Sequence, residues 1–293
     1  MPTLYILGNG FDLHYGLHTS YNDMANILAT EDDYNEIGNA KDFFESLNVI
    51  NWSNFEEELA NFDIEEFFGD NVQYPDYLSD HEYVRDGVIW NMQDKAESLN
   101  RALEDSLKEM VDRANADNDT IEHKLPFEVY SEDAVLSFNY TSTFERLCDN
   151  HDIPVLHIHG FAENGDSLIY GYLNPIMNKI ENTEQDYYIE QQEDAVNNLY
   201  SGWKKPLQMD KLDSFFQSWF ENGDRPYEIK VYGHSMGSVD MPYMDEIDRI
   251  LKPVKWDISY FDEDDYWDKI NAHWSFKKRV QLFRLNLQVG DLA

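Results

Sequence analysis

Four short segments carry the residue types from which a reaction site is assembled. They are Gly8-Asn9-Gly10-Phe11-Asp12, Ser137-Phe138-Asn139-Tyr140-Thr141, His157-Ile158-His159-Gly160, and Gly233-His234-Ser235 through Asp240. In the first, the apolar run Leu4–Leu7 ends in two glycines one residue apart and passes into a helical pattern. That is how a buried strand delivers its backbone to a nucleotide phosphate or ribose at a helix N-terminus. The glycines permit φ > 0 and close approach of a ligand. The dehydrogenase fingerprint asks for a third glycine at position 13, where this chain has Leu13, and the next glycine is Gly16. Phosphate is therefore expected on the amides of Asn9 and Gly10, away from the negative charge of Asp12. The alternative role for Asp12 is a helix N-cap, and for Asn139 an Asx-turn at a helix start.

Each segment follows a strand-like stretch. Thr3–Leu7, Ala134–Phe138, Pro154–Ile158, Ser167–Tyr170, Tyr227–Tyr232 and Val254–Tyr260 read as strands, mostly short apolar runs with polar or glycine bounds. Helical patterns at 142–150, 183–199, 211–222, 243–251 and 264–277 alternate with the later strands. The expected fold is α/β, with a mostly parallel Rossmann-like sheet in one domain over 1–293. A helical block at about 35–125 is inserted after the first strand and its helix. Within it Ser53-Asn54-Phe55-Glu56 reads as a capping box. Phe55, Leu59 and Phe62 form one apolar stripe; Val88, Met92, Ala96, Leu99, Leu103, Leu107 and Met110 form another. In open parallel sheets ligands sit beyond the carboxyl ends of the strands, so the four segments are expected to converge there.

Composition narrows the partners. The chain has 22 basic and 58 acidic residues, a net charge of −36, which repels nucleic acid and anionic membrane. Cys148 is the single cysteine, read as a small buried hydrophobe, so no disulfide or cysteine-based zinc site forms within one chain. The start lacks a basic stretch followed by a long apolar one, and no run approaches a membrane span, so a cytoplasmic protein is expected. Oligomeric state is not legible.

Two motifs compete with a nucleotide site. His157 and His159 would share a face on a strand and could ligate a metal with Asp240 or His234, but no second ligand motif accompanies them. If the strand ends by Ile158 the pair diverges, and His157 becomes a hydrogen-bonded structural histidine. Gly233-His234-Ser235-Met236-Gly237 matches the nucleophile elbow of serine hydrolases. His273 is the sole histidine after it, in surroundings that read as helical.

The landmarks together resemble the AbiH family of phage abortive-infection proteins. The resemblance rests on Gly8 through Leu13 with Gly16, Leu17, Thr19 and Tyr21, then Trp52 through Glu56. It continues through Phe138-Asn139-Tyr140-Thr141 with Glu145, His157 through Gly160, and Gly233-His234-Ser235 with Asp240. It implies a phage-defence protein, with a phage-derived trigger as a partner. More distantly, the same landmarks resemble the sirtuin-like NAD-binding fold. That resemblance implies NAD as ligand or substrate and hydrolysis of its nicotinamide–ribose bond. Asn139 would hold the nicotinamide amide or a water, and His159 would be the base. Gly8, Asn9, Gly10, Phe11, Thr141, Gly233, His234, Ser235 and Asp240 would contact the nucleotide. Thr141 stands where sirtuins have aspartate, which leaves Asp12 as the carboxylate to offset developing positive charge. The sirtuin zinc-module cysteines are absent, so protein deacetylation and zinc are not expected. A non-enzymatic sensor of a nucleotide or phage component is the alternative.

Overall fold

The computed structural model describes residues 1–30, 55–118, 124–150, 152–175, 179–180, 186–219 and 227–285. The chain divides into two compact units. One comprises residues 1–20, 110–169 and 207–293; the other comprises 21–109 and 170–206.

The first unit is built on six parallel strands: β1 (Thr3–Leu7), β2 (Ala134–Ser137), β3 (Val155–His157), β4 (Glu228–Tyr232), β5 (Lys255–Tyr260) and β6 (Val280–Arg284). Their order is β3-β2-β1-β4-β5-β6. This is the Rossmann-like arrangement, with its topological switch point between β1 and β4. β1 is buried along its whole length because both sheet faces are covered. Leu4 and Ile6 point to one face, where they meet Leu136, Val231 and Ile258 and the helix residues Phe216, Tyr243 and Ile247. Tyr5 and Leu7 point to the other, with Val135, Tyr232, Phe11, Tyr15 and Phe144. The period-two alternation of a strand thus divides a continuous apolar run between two cores.

The helices of this unit are α1 (Asn9–His14), α6 (Thr143–Leu147), α8 (Met209–Trp219), α9 (Met241–Leu251) and α10 (Glu263–Asn271). Asp262 caps α10 by accepting from the Asp265 N–H, so the acidic run 262–265 is a helix start, as its pattern suggests. α10 ends at Asn271, which leaves His273 beyond the helix rather than within it. Cys148 is buried just after α6.

The second unit is helical: α2 (Tyr21–Thr30), α3 (Phe55–Ala60), α4 (Ile64–Asn71), α7 (Tyr187–Gly202) and most of the long helix α5 (Glu82–Asn118), whose last turns belong to the first unit. Both apolar stripes read from the sequence are buried. Trp52, Ser53 and Asn54 lie outside the described residues, as do the start of the 183–199 helix and the end of the 211–222 helix.

One expected strand is absent and one observed strand went unread. Residues 167–170 form no strand: Ile169 N–H donates to the His159 carbonyl and Tyr140 Oη donates to the Ile169 carbonyl, isolated bonds rather than a ladder. β6 goes unread because Val280-Gln281-Leu282-Phe283-Arg284 is half polar, as suits an edge strand, and follows three basic residues. Among the described residues, no helix is long and apolar enough to cross a membrane.

Candidate functional site

Strand register brings the four segments level. Leu7 pairs with Ser137 on one side and Tyr232 on the other, and Ser137 pairs with His157. The last residues of four strands therefore form one row, and the segments that follow leave the same sheet edge.

The glycines at that edge serve chain-on-chain packing. Gly8 is extended, with φ −117°, so it needs no left-handed freedom. A Cβ on Gly8 would lie 2.6 Å from His234 Cα, and one on Gly10 would lie 2.8 Å from Gly233 Cα. Gly233 is the left-handed member, with φ +65°, and its Cβ would fall 2.1 Å from the Phe11 nitrogen. The Gly10 N–H donates to the Gly233 carbonyl at 2.7 Å and the Phe11 N–H to Gly8 at 2.8 Å. The expectation of phosphate on the Gly10 amide is corrected accordingly: that donor is already satisfied. The Phe11 side chain is fully buried against Tyr15 and belongs to the core.

Asp12 lies inside α1 and is not its N-cap, a position held by Gly8. Its side chain turns to β2's exit loop, where Oδ2 accepts from Thr141 Oγ1 at 2.7 Å. Thr143 Oγ1 donates in turn to Thr141 Oγ1 at 3.1 Å. Oδ1 is buried without a hydrogen-bond partner. Burial pushes the carboxyl up to about 6; the nearby Thr141, Thr143 and Asn139 side chains and the charge of His157 pull the other way without cancelling it. Asn139 is no helix-start turn either, since α6 is preceded by Ser142. Its N–H donates to Ser137 Oγ and its carbonyl accepts from His157 Nδ1 at 2.9 Å.

His157 ends β3, and the His-x-His pair diverges as that ending requires. His157 Nε2 meets Glu145 Oε1 at 2.8 Å, and the ring stacks on Phe161. Burial lowers its pKa, but the hydrogen bond and charge of Glu145 outweigh that and raise it above the ordinary histidine value. It is the structural histidine of the pair. His159 points elsewhere. Its Nε2 lies 3.5 Å from Asp240 Oδ1, while His234 Nε2 lies 3.4 Å from Asp240 Oδ2. Phe138 presents its ring at right angles to both imidazoles. Among the described residues no group of three or more histidine, cysteine or acidic side chains is arranged to hold a metal.

Ser235 is exposed, and its Oγ accepts from the Gly237 N–H at 3.4 Å. A nucleophile elbow puts the serine itself on a strained turn leading directly into a helix. Here the left-handed residue is Met236, with φ 60°, and α9 begins only at Met241.

Asp12, Asn139 and Thr141 thus come together, and His159, His234 and Asp240 form a second group on the same edge. Glu145 and Thr143 were not read as site residues. Glu145 carried a signal as one of the residues of the family resemblance, and Thr143 only by position, in the first turn of the helix that follows the Asn139 loop.

The Rossmann-like α/β sheet carries buried acidic, amide and imidazole groups at its carboxyl edge, the edge at which folds of this class hold their ligands. The chain belongs to the AbiH family: the family model described as bacteriophage abortive infection AbiH matches residues 4–260. That membership points to a role in abortive-infection defence against phage. No curated protein matches the chain.

Proposed function

We propose that this chain is a cytoplasmic phage-defence effector that binds a nucleotide at the carboxyl edge of its sheet and hydrolyses NAD at the nicotinamide–ribose bond. The observation that carries the reading is the Asp12 carboxylate, 2.7 Å from Thr141 Oγ1 and beside Asn139. A carboxylate is thereby supplied next to Asn139 although position 141 itself is a threonine. In the reaction the C–N bond to the ribose breaks and nicotinamide leaves with the bonding pair. Positive charge develops at the ribose C1′ and its ring oxygen, which ionised Asp12 would offset. A water oxygen then bonds to C1′, and its proton passes to His159 as general base. Asn139 would hold the leaving amide or that water. The Asn9 and Ser235 segments flank the edge for the ribose and phosphates. A net charge of −36 disfavours nucleic acid as the ligand.

The test is incubation with NAD and quantitation of nicotinamide and ADP-ribose by mass spectrometry, beside His159→Ala and Asp12→Asn. Release by the parent protein and loss of at least about 100-fold in each variant is expected. Equal release by all three would overturn the assignment. A second reading, a nucleotide sensor acting through partners, is favoured by the depth of the groups, with Asp12 1% and His159 3% exposed. Saturable NAD binding with no product, in the presence of phage components, would select it.

A further inference from the structure

Asp240 stands at the N-cap of α9, where an aspartate ordinarily accepts from the first-turn amides. Its side chain makes no such bond. The carboxylate, 14% exposed, is instead bracketed by two buried imidazoles, with Oδ1 3.5 Å from His159 Nε2 and Oδ2 3.4 Å from His234 Nε2. His234 has its tautomer fixed from the other side. Its Nδ1 accepts the Met236 N–H at 2.9 Å, so the hydrogen of the neutral ring lies on Nε2, facing Asp240. That bond comes from a strained loop: Met236 is held at φ 60°, a conformation that non-glycine residues rarely adopt and that clusters where structure serves function. Phe138 packs edge-on against both rings, with centroids 5.0 Å from His159 and 4.4 Å from His234, which restricts their rotation.

We infer that Asp240 is a positioning residue, held in place by His234, that fixes His159 as the Nε2–H tautomer and so makes Nδ1 the nitrogen that accepts a proton. A carboxylate only accepts hydrogen bonds, so it favours the hydrogen of each neutral imidazole on the nitrogen facing it. His234 turns its Nε2–H toward one oxygen, at 3.4 Å, because the Met236 N–H occupies its other nitrogen. The second oxygen faces His159 Nε2 at 3.5 Å, an ion-pair distance at which the charge of the carboxylate, rather than a formed hydrogen bond, favours the hydrogen on that nitrogen. The role of Nδ1 as base rests on the reading of His159 given above, but the tautomer is a property of the protein without any nucleotide.

The experiment is long-range proton–nitrogen correlation NMR on the full chain with 15N-labelled histidine, at a pH where the imidazoles are neutral, with His159→Gln used to assign the signals. His159 is expected as a single Nε2–H tautomer, and Asp240→Ala is expected to lose that single state for a mixture. Observation of Nδ1–H on His159 in the parent protein would overturn the inference. So would a tautomer unchanged in Asp240→Ala. The parent spectrum decides the first point alone, so a variant that fails to fold does not shelter the proposal; Asp240→Asn, which keeps the volume, supplies the second. NAD turnover is measured on the same samples. Absence of turnover with the Nε2–H tautomer present would defeat the hydrolase reading and leave the positioning of His159 standing.

Discussion

Glu56 in the helical unit and Asp12 in the sheet unit are both carboxylates withdrawn from water, yet their surroundings differ in kind. Glu56 faces a cation: Lys205 Nζ, 1% exposed, lies 3.0 Å from Oε1 and 3.3 Å from Oε2, and the Gly171 N–H adds a third bond at 3.2 Å. Asp12 is buried more deeply and receives one hydroxyl, with its second oxygen unpartnered. A carboxylate retained for architecture is given countercharge and amides, because an uncompensated buried charge is expensive. One surrounded by neutral donors and no close cation among the described residues, its pKa pushed up to about 6, is poised at the cost of stability. Such a group is a functional candidate on physical grounds.

The largest effect is expected where the satisfied carboxylate loses its partner. Lys205→Met should destabilise the protein by about 3 kcal/mol, the low end for breaking a buried pair because Glu56 keeps some contact with water. Urea unfolding measures it, and adding Glu56→Gln should recover much of the loss. A change below about 1 kcal/mol would put Glu56 in the same class as an exposed acid and erase the contrast.

Asp12→Asn should act in the opposite direction. A carboxyl whose native pKa lies above its unfolded value of 3.8 keeps its full stability contribution below that value and loses it as pH rises through about 6. Raising the carboxyl from 3.8 to about 6 corresponds to about 3 kcal/mol, an upper figure since local relaxation absorbs part of it. Asp12→Asn is therefore expected to be more stable than the parent by about 2 kcal/mol at pH 7, and no more stable near pH 3, while NAD turnover is lost. Equal stabilities at both pH values would mean that Asp12 is as well compensated as Glu56.

How far this contrast was legible in the sequence depended on whether a partner lay near in the chain or across the fold. The strand ends were legible because apolar runs stop at glycine, asparagine or histidine, and parallel pairing sets those stops level. Asp12 and Thr141 were each singled out, but their bond spans 129 residues and follows from no local spacing. The purpose of Gly8 and Gly10 was misjudged for the same reason. A glycine that admits a ligand and one that admits Gly233 look alike until β4 is placed beside β1. Glu56 was read by its local offset from Ser53, and Lys205, 149 residues away, carried no signal at all.

A smaller effect sharpens the description of Asp12. Thr141→Val keeps the shape and removes the hydroxyl that donates to the carboxylate at 2.7 Å. The pKa of Asp12 should rise beyond about 6, and the protein should lose about 1.5 kcal/mol at pH 7. Because the native pKa moves further above the unfolded one, the fall in stability with pH should extend to higher pH. Carbon NMR titration of the Asp12 carboxyl measures the shift. An unmoved pKa would show that Thr141 does not govern this group.

The smallest expected effect concerns the nearest source of positive charge. Among the described residues Asp12 has no cation in hydrogen-bond contact, but the imidazolium of His157 lowers its pKa at a distance. His157 Nδ1 faces the Asn139 carbonyl, which only accepts, so that nitrogen keeps its hydrogen in either protonation state. Whether Nε2 also carries one is decided by Glu145, whose bond and charge outweigh the opposing effect of burial. Glu145→Gln removes the charge behind that pull, and burial, then opposed only by the Asn139 carbonyl and the charge of Asp12, should bring the His157 pKa down from its raised value. In the parent, with the pKa raised, His157 contributes stability that is present below the unfolded value and lost as pH rises through the native one; in the variant that dependence should weaken. Histidine proton titration by NMR would show the fall directly. Asp12, for which the charge of His157 is the smallest of the influences that lower its pKa, should rise only slightly. A larger rise would mean that Asp12 does have an electrostatic partner, and that it differs from Glu56 in distance to its cation rather than in kind.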